Sequence, residues 1–383
     1  MRVGVIGLGY VGQTVARAAS AAGHMVVGYD VNAESVKKLE AKEISNFIGT
    51  TDETKLSDCE IVLIAVPTPL TDDRHPDLSF IHQATDLIAR NFKSPILVIN
   101  ESTSHPGTLR TEIAKRITKA SGVVHLYASS PERVDPGNAN WDVKNTPRLL
   151  SGLTPEAVAL AKSFYSTFCD TIIETSTPEV AEAAKLFENT FRQVNIALVN
   201  EFAQIAHALQ IDPREVISAA STKPYGFMEF TPGAGVGGHC IPVDPIYLSN
   251  VAAKAGVPAT FIERATQVNQ AMPAYVVSRV VTAAGGSIKG KKVVVIGVAY
   301  KPDVIDTRET PSAEIIKLLA SAGADVTWHD QKVDSWQGQS SSAIEGNDIA
   351  IVVTRHSDLT DQQIKKATYV FDCTGTVKGV DRI

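Results

Sequence analysis

Met1-Arg2-Val3-Gly4-Val5-Ile6-Gly7-Leu8-Gly9-Tyr10-Val11-Gly12 opens the chain, and Met25-Val26-Val27-Gly28-Tyr29-Asp30 comes shortly after it. Val3–Ile6 is a short apolar run of strand length, and Val11–Ala22 carries a helical pattern that breaks at Gly23. Met25–Tyr29 is a second strand, closed by the carboxylate of Asp30. Between first strand and helix stand Gly7, Gly9 and Gly12 in the spacing G-x-G-x-x-G. Such glycines let a backbone turn tightly and approach a pyrophosphate on the N-terminal amides of the helix. A carboxylate at the end of the second strand accepts hydrogen bonds from ribose hydroxyls and repels a 2′-phosphate. The pattern therefore predicts a dinucleotide site that takes NAD rather than NADP, with Tyr10 and Val11 inside its turn.

Further apolar runs at Ile61–Val66, Ile96–Asn100 and Val123–Ala128 alternate with helical stretches, as in a parallel sheet covered on both faces. Ligands of such sheets gather at the carboxyl ends of strands. That singles out Val66-Pro67-Thr68-Pro69, Glu101-Ser102-Thr103 and Pro131-Glu132-Arg133 beside the glycine turn. From Pro178 the rhythm changes. Val180, Ala184, Phe187, Phe191, Val194, Leu198, Phe202 and Ile205 recur at four- and three-residue steps, one apolar stripe along a long helix. A Gly- and Pro-rich loop runs from Lys223 to Pro245, and a second helical stretch covers Ala259–Ala284. Strand signals return at Val293–Ile296, Asp325–Trp328, Asp348–Val353 and Tyr369–Phe371, with a helix at Ser312–Ala322. The expected fold is α/β, with two doubly wound Rossmann-like domains joined by a central helical domain. The expected boundaries are 1–176, 177–285 and 286–383.

At 383 residues the chain exceeds a single ordinary core. With 44% hydrophobic and 20% charged residues it is neither disordered nor fibrous. A net charge of −6 without a basic block leaves no nucleic-acid footprint. The apolar runs fall far short of the about 20 residues of a membrane span, and the first strand begins too early for a signal peptide. The four cysteines, Cys59, Cys169, Cys240 and Cys373, are far apart, which argues against a disulfide framework and against a metal site. A cytoplasmic protein is expected.

Cys240 lies in Thr231-Pro232-Gly233-Ala234-Gly235-Val236-Gly237-Gly238-His239-Cys240-Ile241-Pro242-Val243-Asp244. So many glycines beside one thiol mean a close backbone approach. Asp244-Pro245 reads as a helix N-cap with proline at the first helical position. A thiol near a helix start can act as a nucleophile, whereas a cysteine in or beside a strand is ordinarily buried and inert. Position alone leaves both readings open for Cys240 and gives the second to the other three. Lys185 and Asn189 lie four apart on the long helix with Arg192, away from the stripe, and by themselves would read as a solvated face.

Taken together, Gly7–Gly12, Val66–Pro69, Glu101–Thr103, Ser130–Arg133, Ala181–Glu201, Gly235–Asp244 and Ala299–Arg308 resemble the UDP-glucose/GDP-mannose dehydrogenase family, collinearly over nearly the whole chain. Within it, the segments Pro131–Asn138 and Phe227–Gly233 look most like the UDP-N-acetylglucosamine 6-dehydrogenase branch. Enzymes for UDP-N-acetylmannosamine, UDP-N-acetylgalactosamine and UDP-glucose stand as alternatives. The resemblance implies a four-electron oxidation of a sugar hydroxymethyl to a carboxylate, with two NAD reduced per sugar. It gives Cys240 the role of nucleophile, through a thiohemiacetal and then a thioester that retain the aldehyde between oxidations. It assigns Lys185 and Asn189 to the developing oxyanion, Thr103 and Asp244 to a water for proton transfer, and Glu132 to thioester hydrolysis. Pro67, Thr68, Thr103 and Arg308 join the cofactor residues. Glu132, Arg133, Lys185, Asn189, Phe230, Gly233, Gly237, Tyr300 and Lys301 are implied to bind the UDP-sugar. The resemblance also implies a homodimer, which the length of the apolar stripe supports, and surface polysaccharide synthesis as the destination of an acetamido uronate.

The chain departs from the family pattern twice. Gly233-Ala234-Gly235 has alanine where many members have proline. After Asp372, Cys373-Thr374 stands where many carry an arginine, which removes one expected UDP contact. Two other functions share parts of this pattern. A two-electron hydroxyacid dehydrogenase has the glycine turn and a helix lysine but needs neither Cys240 nor the segment after Lys291. A non-catalytic sensor of NAD and UDP-sugar would leave Cys240 slow to alkylate and unprotected by substrate.

Overall fold

The protein is described from a computed structural model covering residues 1–383 except Glu43 and Pro136. Pro136, within the quoted segment Pro131–Asn138, therefore lies outside the described residues. The chain divides into two compact units. The first comprises Met1–Glu188 and Ile246–Val257, and the second comprises Asn189–Pro245 and Pro258–Ile383.

Eight strands build the sheet of the first unit: β1 (Arg2–Ile6), β2 (Met25–Tyr29), β3 (Phe47–Thr50), β4 (Ile61–Ile64), β5 (Leu97–Asn100), β6 (Leu126–Ser129), β7 (Arg148–Gly152) and β8 (Ile172–Glu174). Their order is 3-2-1-4-5-6-7-8, parallel except where β7 runs antiparallel to β6. The first six have the Rossmann order. Helices α1 (Tyr10–Ala21), α2 (Ala33–Glu40), α3 (Ser79–Asn91), α4 (Lys115–Ser121) and α5 (Pro155–Tyr165) cover the sheet. Strand alternation divides the core in two. Val3, Val5, Ile61, Leu63, Leu97 and Ile99 pack with α1 and α5. Ile6, Val62, Ile64 and Val98 face the other way, onto α3 and α4.

The long helix α6 (Pro178–Ala208) belongs to the first unit through Glu188 and to the second from Asn189 onward. Its exposed side carries most of the apolar stripe: Val180, Phe187, Phe191, Leu198 and Ile205 are exposed, with Phe187 and Leu198 each at 64%. The buried side is mostly small and polar instead, with Ala181, Glu182, Thr190, Gln193, Ala197, Asn200 and Ala203 beside one leucine, Leu186. After α6 come α7 (Pro213–Ser221), α8 (Asp244–Lys254) and α9 (Thr260–Ala283).

The sheet of the second unit contains β9 (Lys292–Ile296) and β10 (Asp325–His329), then, past the small hairpin of β11 (Ser335–Trp336) and β12 (Gln339–Ser340), β13 (Ile349–Val352), β14 (Tyr369–Asp372) and β15 (Asp381–Arg382). All five run parallel, in the order 10-9-13-14-15. Val293 and Val295 pack against Met272, Val276 and Val280 of α9 and against Ile315 and Leu319 of α10 (Pro311–Ser321). Val294, Ile296 and Val352 pack on the opposite face with Ile364 of α11 (Asp361–Ile364). The expected pair of Rossmann-like sheets with helices between them in sequence is what the chain forms. Among the described residues no helix is long and apolar enough to cross a membrane.

Glu182 joins α6 to the first sheet's periphery. Its carboxylate accepts hydrogen bonds from the amides of Gly107 (2.7 Å) and Leu109 (2.9 Å), where the π-helical turn Leu109–Ala114 leads into α4. Burial outweighs these bonds and raises its pKa to about 7. A raised carboxyl pKa gives stability that is present below the ordinary value near 4.5 and lost as pH rises through about 7. Glu182→Gln should therefore gain unfolding free energy relative to the parent as pH increases from 5 to 8, by an amount on the order of 3 kcal/mol. Urea melts of both proteins across that range check this; a difference independent of pH would refute it.

Candidate active site

Gly7 leaves β1 with φ +94°, and a Cβ there would lie 2.4 Å from the Ala65 carbonyl oxygen. A Cβ on Gly12 would come within 1.8 Å of the Gly7 oxygen. These two glycines allow the turn and the helix to pack. Gly9 differs: a Cβ there would meet nothing within 4 Å. Its glycine character leaves open space at the amino end of α1, where a pyrophosphate requires close backbone approach. The adjoining cavity, about 490 Å³, is lined by Gly7, Gly9, Asp30, Asn32, Val66 and Pro67 among others. Asp30 accepts hydrogen bonds from Leu8 N (2.7 Å, Oδ2) and Asn32 N (2.8 Å, Oδ1), so it braces the turn. A carboxylate has about four acceptor positions, which leaves capacity for ribose hydroxyls. The residues fit NAD. Val11 packs on the core, Tyr10 is exposed and Thr68 is buried.

Beside this turn lies a charged cluster at the end of β5 and the start of β7. Arg148, buried, donates to Glu132 (2.6 Å) and stands 3.3 Å from Glu101, while its guanidinium covers the Tyr165 ring at 4.4 Å. The Tyr165 hydroxyl donates to Glu101 at 2.5 Å. Two carboxylates share one guanidinium, so their proton affinities diverge. Burial drives the Glu101 pKa up to about 7, against the pull of Arg148 and with the push of Glu132. Burial also acts upward on Glu132, but Arg148, the amides of Val134 and Arg133, and the charge of Lys185 outweigh it and hold this carboxyl below its ordinary value. Glu132 is thus kept ionised, with Lys185 in electrostatic reach. Burial first, then the negative charges of Glu132 and Asp135, raises the pKa of Tyr10, which places Glu132 electrically close to the cofactor turn. Thr103 is half-buried on the same strand-end segment, which the Ser102 hydroxyl ties to Val66. The Arg133 side chain is engaged elsewhere, with Glu188 (2.6 Å) and the Pro147 carbonyl.

In the second unit the Gly233–Cys240 loop is held at both ends. Gly233 N donates to Asn200 Oδ1 (2.9 Å); Asn200 in turn donates to Asn269, which donates to the Gln193 carbonyl. Gly238 N donates to the Arg308 carbonyl (2.9 Å), and Cβ atoms on Gly237 or Gly238 would strike Tyr300 at 2.8 and 2.7 Å. Cys240 comes next, exposed, and its carbonyl accepts from Asp244 N (2.9 Å) as α8 begins. Asn189 donates to Asp244 Oδ2 at 2.5 Å. Arg308 forks onto Asp306, whose hydrogen bonds are the main reason its pKa is raised; the Cys240 sulfur is also within its electrostatic reach. The other three cysteines are buried, and burial pushes the thiol of Cys59 up to about 11 and those of Cys169 and Cys373 upward as well. Phe230 meets Phe191 edge to face, with ring centres 6.1 Å apart. A cavity of about 530 Å³ is lined by Gly233, Gly237, Tyr300, Arg355, His356 and Thr374 among others; Lys301 is next in the chain after Tyr300.

The second sheet repeats the turn of the first with different chemistry. Gly297 succeeds β9 with φ +87°, and its Cβ would lie 2.1 Å from the Thr354 carbonyl oxygen. Asp330, ending β10, accepts from Val298 N and Ala299 N as Asp30 does from Leu8 N. Asp330, however, is buried and also bonded to His356 Nε2 (2.9 Å), and its pKa falls to about 2 because His356 and the amides outweigh burial. It has no face left for a ribose.

The first unit thus gathers Gly7, Gly9, Gly12, Asp30 and Pro67 at one strand end and brings Glu132 near Lys185. The second gathers Cys240, Asn189, Asp244, Gly237, Tyr300 and Arg308. Sequence reasoning missed Arg148, Tyr165, Asn200, Asn269 and Asp330. A charge opening the apolar run Arg148-Leu149-Leu150 was the one available signal of a buried ion pair.

Comparison with known proteins bears on all of these segments. Residues 1–169 match the UDP-glucose/GDP-mannose dehydrogenase family NAD binding domain, 179–271 its central domain and 294–379 its UDP binding domain. The UDP-N-acetyl-D-mannosamine dehydrogenase of Pyrococcus horikoshii is 34% identical over 94% of this chain and 90% of its own. The UDP-N-acetyl-D-glucosamine 6-dehydrogenase of Pseudomonas aeruginosa is 35% identical over 88% of this chain and 84% of its own. A solved structure of the Pyrococcus horikoshii UDP-D-ManNAc dehydrogenase superposes with a TM-score of 0.90 at 31% identity, covering 100% of this chain and 97% of that one.

Gly9→Ala should fold with the parent's melting temperature yet bind NAD at least tenfold more weakly by calorimetry, whereas Gly12→Ala should lower the melting temperature itself. Equal effects in both assays would show that Gly9 is only a structural glycine. Arg148→Met should cost about 3–5 kcal/mol in urea unfolding, because two buried carboxylates lose their only guanidinium. Adding Glu101→Gln should return part of that loss; a double variant no more stable than the single one would contradict the shared-charge account.

Proposed function

Because the chain belongs to the UDP-glucose/GDP-mannose dehydrogenase family and is an NAD-dependent nucleotide-sugar dehydrogenase, we propose that it oxidises the C6 hydroxymethyl of a UDP-N-acetylhexosamine to the carboxylate. The observation that carries this reading is the lone exposed thiol, Cys240, at the end of a glycine loop and one turn from the Asn189–Asp244 pair. NAD serves as hydride acceptor in both oxidations, so two are reduced per sugar. In the first, C6 loses a hydride and its hydroxyl a proton; Thr103 and Asp244 hold the water that takes the proton. The Cys240 sulfur then bonds to the C6 aldehyde, and Lys185 and Asn189 stabilise the oxygen that gains charge. Loss of a second hydride from this thiohemiacetal leaves a thioester on Cys240. Glu132, kept ionised by Arg148, takes a proton from the water that cleaves it, releasing acid and thiol. Tyr300 and Lys301, with Gly233, Gly237 and Phe230, bind the UDP-sugar, and Arg308 serves the cofactor; Arg133 would have to leave Glu188 and the Pro147 carbonyl to join them.

Among the relatives, enzymes named for UDP-N-acetyl-D-mannosamine recur, at 32–34% identity over nearly the whole chain, which moves the sugar from the glucosamine toward the mannosamine epimer. The exposed apolar residues of α6 support a homodimer through that helix.

An end-point assay at limiting sugar should yield two NADH per UDP-N-acetylmannosamine, and Cys240→Ser should bind NAD normally while producing no acid. One NADH per sugar would replace this reading with a two-electron dehydrogenase. Leu198→Asp should shift the sedimentation coefficient from dimer to monomer; an unchanged value would remove α6 from the interface.

A further inference from the structure

The segment after β14 lacks the arginine that the family pattern leads one to expect, yet a guanidinium stands there. It comes from α7. Arg214 Nη2 donates to the Cys373 carbonyl (3.3 Å) and to the Pro232 carbonyl (3.1 Å). Cys373 and Pro232 both line the cavity of the second unit, from opposite segments of its wall. Gly375 lies between the lining residues Thr374 and Thr376, has φ +69°, and a Cβ on it would fall 2.0 Å from Arg214 Nε. The guanidinium therefore fills the space that a side chain at position 375 would need, and the glycine admits it.

Charge around Arg214 is unbalanced. No carboxylate lies within ion-pair distance of its guanidinium among the described residues, and its buried Nε has no hydrogen-bond partner. The nearest acidic side chain of β14, Asp372, is occupied by Thr374 (2.8 Å to its amide) and Val377 N (2.7 Å). Arg355, the arginine lining the cavity, is already paired with Asp361 at 2.8 Å. Burial lowers the pKa of Arg214, the charge of Arg382 adds to that, and Asp372 and Asp212 oppose it from beyond ion-pair distance. Arg214 does not itself line the cavity, but a guanidinium without an ion pair, set against the segments Pro232 and Cys373–Thr376 that do, favours an anion there, most of all a diphosphate.

We propose that Arg214 is a nucleotide-anchoring residue of this chain, supplying from α7 the positive charge for the diphosphate of the UDP-sugar that the segment after β14 does not carry. It also ties the start of the glycine loop to the end of β14 through its two carbonyl contacts. This rests on the UDP-sugar reading of the cavity.

Calorimetry on the full-length protein with UDP, UMP and uridine separates the two claims. The parent should bind UDP more tightly than uridine; no UDP binding by the parent would overturn the UDP-sugar reading itself. Arg214→Met should weaken UDP at least tenfold, UMP less, and uridine by less than twofold, while NAD binding stays at the parent's value. Equal loss for UDP and uridine would overturn the charge role and leave Arg214 a wall-building residue, and unchanged UDP affinity would overturn the proposal outright. Arg214→Met/Thr374→Arg, which puts an arginine on the segment after β14, should recover at least half of the lost affinity on a logarithmic scale. If Arg214→Met fails to fold, Arg214→Gln, which can still donate to one carbonyl, provides the same comparison without the charge.

Discussion

Both sheets depend on a chain passing within contact distance of a neighbouring strand as it leaves the first strand. At Gly7 and at Gly297 the backbone has positive φ and leaves no room for a Cβ against Ala65 or Thr354. Each turn is then pinned by a carboxylate from the end of the adjacent strand, Asp30 or Asp330. In the first sheet this pairing of steric demand and hydrogen bond fixes where α1 begins, three residues after Gly7, and so where a ligand can meet its amides; in the second a loop follows Gly297 and α10 starts only at Pro311.

The residues just past each turn set the two sheets apart. In the first, Gly9 keeps open space before α1, and Asp30 is only partly buried with acceptor positions remaining. In the second, Val298 and Ala299 are buried where open backbone would be needed, and His356 occupies Asp330. The same scaffold leaves open backbone and a free carboxylate face at the turn in one case and fills both in the other, through two or three side chains rather than a change of topology.

Much of this was legible in order and kind. The glycine turn, Asp30, the strand runs and the Cys240 loop are local patterns, and the structure realises them within a few residues. Six of the described strands escaped: β3, β7, β8, β11, β12 and β15 are two to five residues long, and β7 opens on a charge, so periodicity gave them little signal. The stripe on α6 was read correctly as a stripe, but periodicity does not say what covers it. The core side of that helix is mostly alanine and polar residues with one leucine, Leu186, while Phe187, Phe191, Leu198 and Ile205 point outward. Pairings such as Arg148 with Glu101 and Glu132, or Asn200 with Asn269, join positions many residues apart, and no local spacing encodes them.

Buried charge behaves differently in the two units, and the difference has chemical consequences. Around Arg148 there is one carboxylate too many, so the surplus proton settles on Glu101 and Glu132 remains an anion suited to accept a proton from water. Around Arg214 no carboxylate of the described residues stands within ion-pair distance, and Asp372 and Asp212 act on it only from further away. Desolvating an ion without its partner is costly, and a fold retains such a group when something outside the chain supplies the missing charge. A surplus carboxylate prepares a base, and a guanidinium without an ion pair of its own prepares an anion site.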